Sequence, residues 1–251
     1  MKKLIFVLLI SISVSTNLFS QKKLGFGLYL GSSITSLSGA DEFAEQLSDV
    51  ASEIIGKDFP MSKAPRSLLF YGGGFVSYNL SNWLALKGGV EYAPKGETFN
   101  GECYLSTDFN MNSIVMVNGT ILKIAYVEFP LSVQLSTLSA SKPDKVYFYA
   151  NFGISPAVKV FSKMSVFTKL VQRGFDSDGT TERELSSSNL TEPLDGIKGF
   201  DFGMFCSVGV SDKTWFCDLK YDHGLTNINE DNNSGLDFKN RMIALSLGVK
   251  F

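Results

Sequence analysis

The single histidine, His223, is the side chain best suited to acid–base chemistry near neutral pH. It follows Asp222 and lies where a predicted strand meets its loop. A catalytic triad would need a serine and a carboxylate arranged around this imidazole. No serine is placed by its spacing to complete such a triad. We therefore expect a structural or solvent-exposed histidine and a protein that is not an enzyme, with lipid-modifying chemistry at His223 as the alternative.

Metal and cofactor chemistry has little support in the sequence. One histidine and three scattered cysteines do not form a zinc pattern. Residues 176–179 and 230–235 have the composition of calcium loops, but neither has the D-x-[DN]-x-[DN]-G spacing with a distal glutamate. We expect these segments to be turns, and we expect no metal and no cofactor.

Charged residues recur on one face of several otherwise apolar strands. Period-2 alternation directs them to the inside of a closed sheet, where a charge must be paired or meet water. This predicts a lumen charge network that acts as a structural salt-bridge plug, with a gated path for an ion or small solute as the alternative. The predicted network comprises Lys87, Glu91, Glu128, Asp201, Asp218 and Lys220, and Lys250 also points inward.

The strands that position these charges are predicted from the same alternation. Eight segments alternate apolar and small or polar residues, and most exceed the 9–11 residues that a tilted strand needs to cross a bilayer. They cover residues 23–36, 67–80, 83–94, 120–135, 146–160, 197–210 and 214–222, with a terminal strand from about residue 238.

The connections between these strands alternate in length. Residues 79–82, 136–145 and 211–213 form short connections, whereas residues 37–66, 95–119, 161–196 and 223–237 form long ones. Such alternation is expected of an up-and-down barrel with both termini in the periplasm. We predict an all-β, up-and-down antiparallel transmembrane β-barrel of about eight strands. A soluble β-sandwich is the alternative.

The first long connection contains a predicted helix over residues 41–56. Phe43, Leu47, Val50 and Ile54 recur at helical spacing, and the remaining surface is acidic. Ser38 followed by Asp41 resembles a capping box, and Gly56 suits a C-terminal stop. We expect the helix to pack on the barrel mouth, and a partner-docking helix is the alternative.

The two ends of the sequence indicate export. Residues 1–20 combine a basic start, an apolar run from Leu4 to Val14 and a small, polar end, so they predict a secretory signal peptide before a barrel domain of residues 21–251. The terminal strand alternates up to an aromatic residue. Phe251, Val249 and Leu247 form a predicted assembly signal that the barrel assembly machinery would recognise.

Composition excludes other classes. The 251 residues have 44% hydrophobic content and a mean hydropathy of +0.09, and no apolar run beyond the signal reaches the length of a spanning helix. A formal net charge of −2 without a basic stripe argues against nucleic acid. Cys206 and Cys217 are interpreted as small, lipid-facing residues, and a disulfide between them is the alternative.

Three segments resemble the PorT-like outer-membrane β-barrel domain family. They are residues 86–96 (LKGGVEYAPKG), 126–131 (YVEFPL) and 221–228 (YDHGLTNI). The resemblance implies an eight-stranded barrel in the cell outer membrane and a link to type IX protein secretion. The acidic helix of residues 41–56 is not part of the family's pattern.

From these observations we expect a non-enzymatic barrel that acts through its extracellular loops or protein partners, in secretion or surface assembly. A small-solute or lipid-binding barrel is the alternative function. The expected partners are outer membrane lipid, the barrel assembly machinery and proteins at the extracellular loops.

Overall fold

The chain forms a closed antiparallel β-barrel in a computed structural model. The structure describes residues 24–64, 68–107, 113–137, 146–176, 179–230 and 237–251. The predicted signal peptide of residues 1–20 lies outside these ranges. Within them one helix and eleven strands are found.

The helix, α1, spans Ala40–Ile55, between the first two strands. The strands are β1 (Leu24–Ser38), β2 (Met61–Lys63), β3 (Leu69–Asn79), β4 (Leu84–Thr107), β5 (Ser113–Glu128), β6 (Leu131–Ser136), β7 (Tyr147–Asp176), β8 (Gly179–Pro193), β9 (Phe200–Ser211), β10 (Trp215–Gly224) and β11 (Lys239–Lys250).

Eight strand positions close the barrel. Proceeding from β1 around the wall, the neighbours are β3, β4, then β6 with β5, then β7, β9, β10 and β11, which pairs back with β1. β5 and β6 share one position because Pro130, which has no N–H to donate, interrupts the ladder between them. The predicted barrel of eight strands is confirmed, and β1 begins at the end of the barrel where β11 ends.

Alternation along each strand separates the lumen from the outer surface. On β11, Met242 and Ala244 are buried, whereas Leu245 and Leu247 are 55% and 64% exposed. The outer surface of the barrel is therefore apolar around its circumference, as a lipid-facing wall must be. No helix among the described residues combines the length and hydropathy needed to cross a bilayer.

The long connections differ from the sequence prediction. Residues 95–119 and 161–196 were predicted as loops, but β4 continues to Thr107, β5 begins at Ser113, β7 continues to Asp176 and β8 follows it. Beyond the barrel rim the outer face of these strands contacts water rather than lipid, so it needs no apolar residues. The alternation of apolar and polar residues that predicts a strand is therefore weaker there. The sixth strand also begins at Phe200 rather than at residue 197.

These extensions form a projecting sheet, which we call the loop-end sheet. It consists of β8 with residues 161–176 of β7, 113–125 of β5 and 95–107 of β4, and short β2 pairs with the β4 edge. Fourteen residues of β7, from Lys163 to Asp176, pair with β8, which corresponds to roughly 40 Å of strand. The loop-end sheet therefore stands well clear of the membrane.

Helix α1 covers the mouth of the barrel beside this sheet. The ring of Phe43 lies 5.4 Å from that of Phe99 and 5.6 Å from that of Phe238, both edge to face. The predicted stop at Gly56 is confirmed by its left-handed backbone with φ of 69° and its N–H bond to the Ser52 carbonyl. The helix therefore packs as a lid.

Two details of the helix prediction were wrong. Ser38 does not cap the helix, because Gly39 occupies the N-cap position and the Ser38 hydroxyl bonds to Lys239 of β11 instead. Val50 and Ile54 are 55% and 80% exposed, because the helix turns its small residues Ala40 and Ala44 toward the barrel.

Candidate functional site

The centre of the lumen is filled by six charged side chains, which we call the central ion network. They come from the inward positions of four strands and are all buried. β4 supplies Glu91 and Lys95, β5 supplies Glu128, β9 supplies Asp201, and β10 supplies Lys220 and Asp222.

Two lysines hold the four carboxylates together. Lys95 Nζ lies 2.6 Å from Glu128 Oε1 and 3.5 Å from Asp201 Oδ2. Lys220 Nζ contacts Glu91 and lies 3.4 Å from Asp222 Oδ2. Glu128 joins the two groups, since its second oxygen is 3.5 Å from Lys220 Nζ.

Neutral donors complete the coordination of the carboxylates. The Tyr71 hydroxyl donates to Glu91 Oε2 at 2.6 Å, and Tyr29 donates to the same oxygen. Ser155 donates to Asp222 at 2.8 Å. Asn240 likewise donates to Asp201 at 2.7 Å. These donors matter because four carboxylates face only two ammonium groups, and a buried charge without hydrogen bonds is costly.

The structure brings four of the predicted lumen residues into the central ion network: Glu91, Glu128, Asp201 and Lys220. Lys87 and Asp218 lie closer to the termini. Lys87 Nζ sits 3.8 Å from the centre of the Phe75 ring. Asp218 accepts a hydrogen bond from Ser207 at 3.1 Å. Lys87 and Asp218 line one small cavity, with about 50 Å³ accessible to the centre of a water molecule.

Sequence reasoning missed Lys95 and Asp222 as network members. Asp222 lies two residues after Lys220 and therefore on the same inward face of the strand, but the sequence analysis treats it only as a neighbour of His223. Lys95 was assigned to a loop, although it continues the inward series of Lys87 and Glu91. Extending the predicted alternation of β4 just past residue 94 would have placed Lys95 in the lumen.

A hydrophobic layer closes the lumen above the central ion network. It joins α1 to the inner face of the loop-end sheet and to Ile228 and Phe238. Phe59, Phe99 and Ile228 are completely buried there. The central ion network and the apolar layer together fill the loop end of the barrel with side chains. The interior of an eight-stranded barrel is narrow enough to be filled in this way.

The opposite end of the lumen is basic, and the residues that the structure describes leave it open. A vestibule with about 160 Å³ accessible to water lies between the strand ends that carry the termini. Lys87, Lys213 and Lys250 line it together with Tyr147 and Tyr149. Lys250 donates to the Tyr147 hydroxyl at 2.8 Å, so this predicted inward lysine lies at the vestibule wall.

His223 and Asp222 point to opposite sides of the barrel wall. Asp222 is buried in the lumen, whereas the His223 ring lies 6.4 Å from the ring of Tyr221, the preceding outward residue of β10. Because the wall separates them, Asp222 cannot orient the imidazole as a triad carboxylate would.

The remaining predicted sites can now be located. Cys206 and Cys217 are free, and they pair in register with Tyr221 and Val210 rather than with each other. Within the described ranges, no three histidine, cysteine or carboxylate side chains are arranged so that they could hold a metal ion. The two segments considered as calcium loops include residues that lie outside those ranges.

The predicted assembly signal lies on the outer face of the wall. Leu247 and Phe251 are 64% and 67% exposed, and Val249 lies opposite Leu28 of β1. Phe251 N–H donates to the Phe26 carbonyl at 2.9 Å.

A closed antiparallel barrel with an apolar outer wall and a polar, filled lumen defines an outer-membrane β-barrel protein. The chain belongs to the outer membrane protein beta-barrel domain family, whose profile matches residues 19–230. The protein is therefore located in the cell outer membrane. No curated protein sequence matches the chain.

Several solved barrels are similar to this chain over most of its length. Ail, the attachment invasion locus protein of Yersinia pestis, is 9% identical, covers 91% of this chain and 99% of its own, and has a TM-score of 0.37. Neisserial surface protein A is 12% identical with 91% and 97% coverage and a TM-score of 0.38. The N-terminal barrel domain of Pseudomonas aeruginosa OprF is 10% identical with 92% and 98% coverage and a TM-score of 0.31.

Proposed function

We propose that this protein is a non-enzymatic, non-conducting barrel that presents the loop-end sheet to protein partners at the cell surface. The observation that carries the proposal is the edge of β8. This strand pairs with β7 on one side, and no described strand pairs with its other side. Short turns face the periplasm in such barrels, so the loop-end sheet faces outward from the cell.

The β8 edge has the features of a strand-pairing surface. Side chains from Glu182 to Glu192 are exposed on both faces, and the free edge offers a row of backbone donors and acceptors. An extended segment of a partner can add to such an edge, with backbone hydrogen bonds giving affinity. The backbone ladder from Lys163 to Asp176 holds β8 against β7, and ion pairs from Arg173 to Glu182 and from Lys169 to Glu184 add to it. The edge is therefore held ready for pairing.

The filled lumen supports the non-conducting part of the proposal. An ion would have to disrupt the contacts of Lys95 and Lys220 and then displace the apolar lid around Phe99. We expect no conductance steps when the purified protein is reconstituted in a planar bilayer. Stable single-channel steps from wild-type protein would favour the gated-path alternative.

Shortening the projecting hairpins tests the docking role. Phe167 and Asn189 are opposite each other on β7 and β8, so an Asn-Gly turn can replace residues 168–188 between them. Gly101 and Asn118 are opposite each other on β4 and β5, so a second Asn-Gly turn can replace residues 102–117. The two shortened hairpins end at the same level, because Phe167 also lies opposite Gly119. The shortened barrel should still assemble but fail to complement a deletion strain. Full complementation by an assembled, shortened barrel would contradict the proposal.

The enzymatic alternative is tested by His223→Ala in the same strain. We expect full complementation, since His223 faces away from Asp222. Loss of function in an assembled His223→Ala variant, with the shortened barrel active, would favour lipid-modifying chemistry.

Protein secretion is a specific form of this proposal. It is supported by the resemblance of residues 86–96, 126–131 and 221–228 to the PorT-like family. If the chain serves type IX secretion, its deletion should leave the exported cargo of that pathway inside the cell. Normal cargo export would restrict the role to surface binding.

A second candidate function, binding of a small anionic solute, is favoured by the vestibule. Lys87, Lys213 and Lys250 converge there beside aromatic rings. Vestibule binding would make function depend on Lys87 rather than on the hairpins, so Lys87→Met in the complementation assay separates the two candidates.

A further inference from the structure

Two lysines face each other across the outer wall at the loop end. Lys123 of β5 and Lys163 of β7 are Cα partners in the antiparallel register. Both side chains are exposed, while Leu122 and Ile124 beside Lys123 point inward and are buried. Like charges directly opposite each other destabilise a strand pair. Neither lysine has a carboxylate within 4.0 Å in the described part of the chain.

The pair marks the upper boundary of the apolar wall. Below Lys163 on β7, Phe161 and Val158 are 40% and 50% exposed. Lys163 Nζ lies 5.8 Å from the centre of the Phe161 ring. A lysine in this position keeps its stem on apolar surface and its ammonium at headgroup level.

The same arrangement recurs elsewhere on the wall. His223 of β10 and Arg241 of β11 are also Cα partners, directly above the outward residues Tyr221 and Ile243. On β5, β7, β10 and β11, the first ionisable side chain above the apolar wall is thus of a basic type. Lys123, Lys163 and Arg241 therefore give the outer leaflet an electropositive boundary on three of these strands.

A recess lies beside Lys123. It has about 220 Å³ accessible to water and is lined by Thr35, Leu69, Thr98, Ile121 and Lys123. The buried residues Lys95, Glu97 and Leu122 line its inner side. It forms where β4 bends at Gly96, whose φ of 143° is unfavourable for other residues. The recess combines hydroxyl groups with apolar side chains at the boundary between water and lipid.

We propose that Lys123 and Lys163, with this recess, bind the phosphate-bearing headgroup of an outer-leaflet glycolipid. The two ammonium groups contact the phosphate, the recess accepts a sugar ring, and the acyl chains lie along the wall below Phe161. Basic clusters at a membrane boundary recognise anionic headgroups in this manner. The bound phosphate relieves the repulsion between the two lysines, so lipid binding also stabilises the β5–β7 ladder.

The test measures binding of bisphosphorylated lipid A to the purified barrel in detergent. We expect Lys123→Gln/Lys163→Gln to weaken binding by about 30-fold. Lys63→Gln/Lys169→Gln, which removes the same charge from exposed positions away from the site, should bind like the wild type. Lys123→Arg/Lys163→Arg should retain binding, which shows that charge rather than packing is lost.

Two further arms identify the source of the phosphate. Dephosphorylated lipid A should bind the wild type as weakly as lipid A binds the glutamine variant. Inorganic phosphate should compete only at far higher concentration than lipid A. Equal binding by wild type and glutamine variant would overturn the site, and equal competition by free phosphate would overturn its assignment to a lipid. All variants change exposed side chains, and heat-modifiable gel mobility verifies their assembly.

Discussion

Lys95 Nζ lies 2.6 Å from Glu128 Oε1 in the centre of the barrel, and both side chains are at least 98% buried. Lys95 comes from β4 at a position beyond the predicted end of that strand. Glu128 is the last residue of β5 before Pro130 ends the ladder. The contact joins adjacent strands, and through Glu128 it also connects to Lys220 of β10.

Removing Lys95 should destabilise the barrel strongly. Lys95→Met leaves Asp201 without its ammonium partner and Glu128 with only the longer contact to Lys220. Breaking a buried ion network costs about 3–5 kcal/mol. Urea unfolding in detergent, followed by the loss of heat-modifiable mobility, measures this cost. Lys169→Met is the matched control, because its pair with Glu184 is about half exposed and should contribute less than about 1 kcal/mol. Equal stability of the two variants would contradict a structural role for the network.

Gly153 should tolerate no side chain. A Cβ at this inward position of β7 would lie 2.1 Å from the Leu131 carbonyl oxygen and 2.7 Å from Ser132 Cβ. Gly153→Ala must therefore displace β6 and should lower the yield of assembled barrel. Gly199→Ala is the control, since nothing lies within 4 Å of a Cβ there. The ratio of folded to unfolded bands on a semi-native gel compares the two variants.

The lid depends on Phe43. Phe43→Ala removes two edge-to-face contacts with Phe99 and Phe238 and should destabilise the packing of α1 by about 3 kcal/mol. Hydrogen exchange of residues 40–55 should then accelerate while the barrel strands stay protected. Ile54→Ala, at an 80% exposed position, should leave exchange unchanged. Accelerated exchange in both variants would indicate that α1 is not held by its Phe43 side.

Phe251→Asp should reduce assembly far more than Lys250→Ala. Phe251 faces outward at the edge of the lipid-facing wall, where a charge is unfavourable, whereas Lys250 faces Tyr147 inside the vestibule. The amount of heat-modifiable protein in the outer membrane fraction measures assembly. If both variants assemble equally, Leu247, Val249 and Phe251 do not act as an assembly signal.

Acidification should loosen the tip of the loop-end sheet. Hydrogen bonds from Arg173 at 2.7 and 3.1 Å lower the pKa of the Glu102 carboxyl, which lies outside the membrane. A lowered pKa in the folded state means that the contribution to stability is present above the ordinary glutamate value of about 4.3 and is lost as the pH falls through the folded value. The protection factors of residues 101–107 and 168–174, which correct for the pH dependence of the intrinsic exchange rate, should therefore fall below about pH 4. Arg173→Gln should remove this dependence.

The sequence alone determined the wall of this protein. Lipid outside and a packed lumen inside impose a strict period of two, so Leu245 and Leu247 could be placed outside and Ala244 and Ser246 inside without a structure. The same reasoning placed Glu91, Glu128, Asp201 and Lys220 in the lumen, and the glycine at residue 56 predicted the end of the helix.

Only the tertiary structure shows how far the strands extend above the membrane and which side chains meet between strands. Above the membrane the outer face no longer needs apolar residues, so the extension of β4 past Lys95 and of β7 past Phe161 carried no alternation signal. Which lysine meets which carboxylate depends on strand stagger around the closed barrel, because Lys220 and Glu91 are 129 residues apart in sequence. The opposed pair of Lys123 and Lys163 likewise depends on the register of β5 against β7, which only the closed sheet fixes.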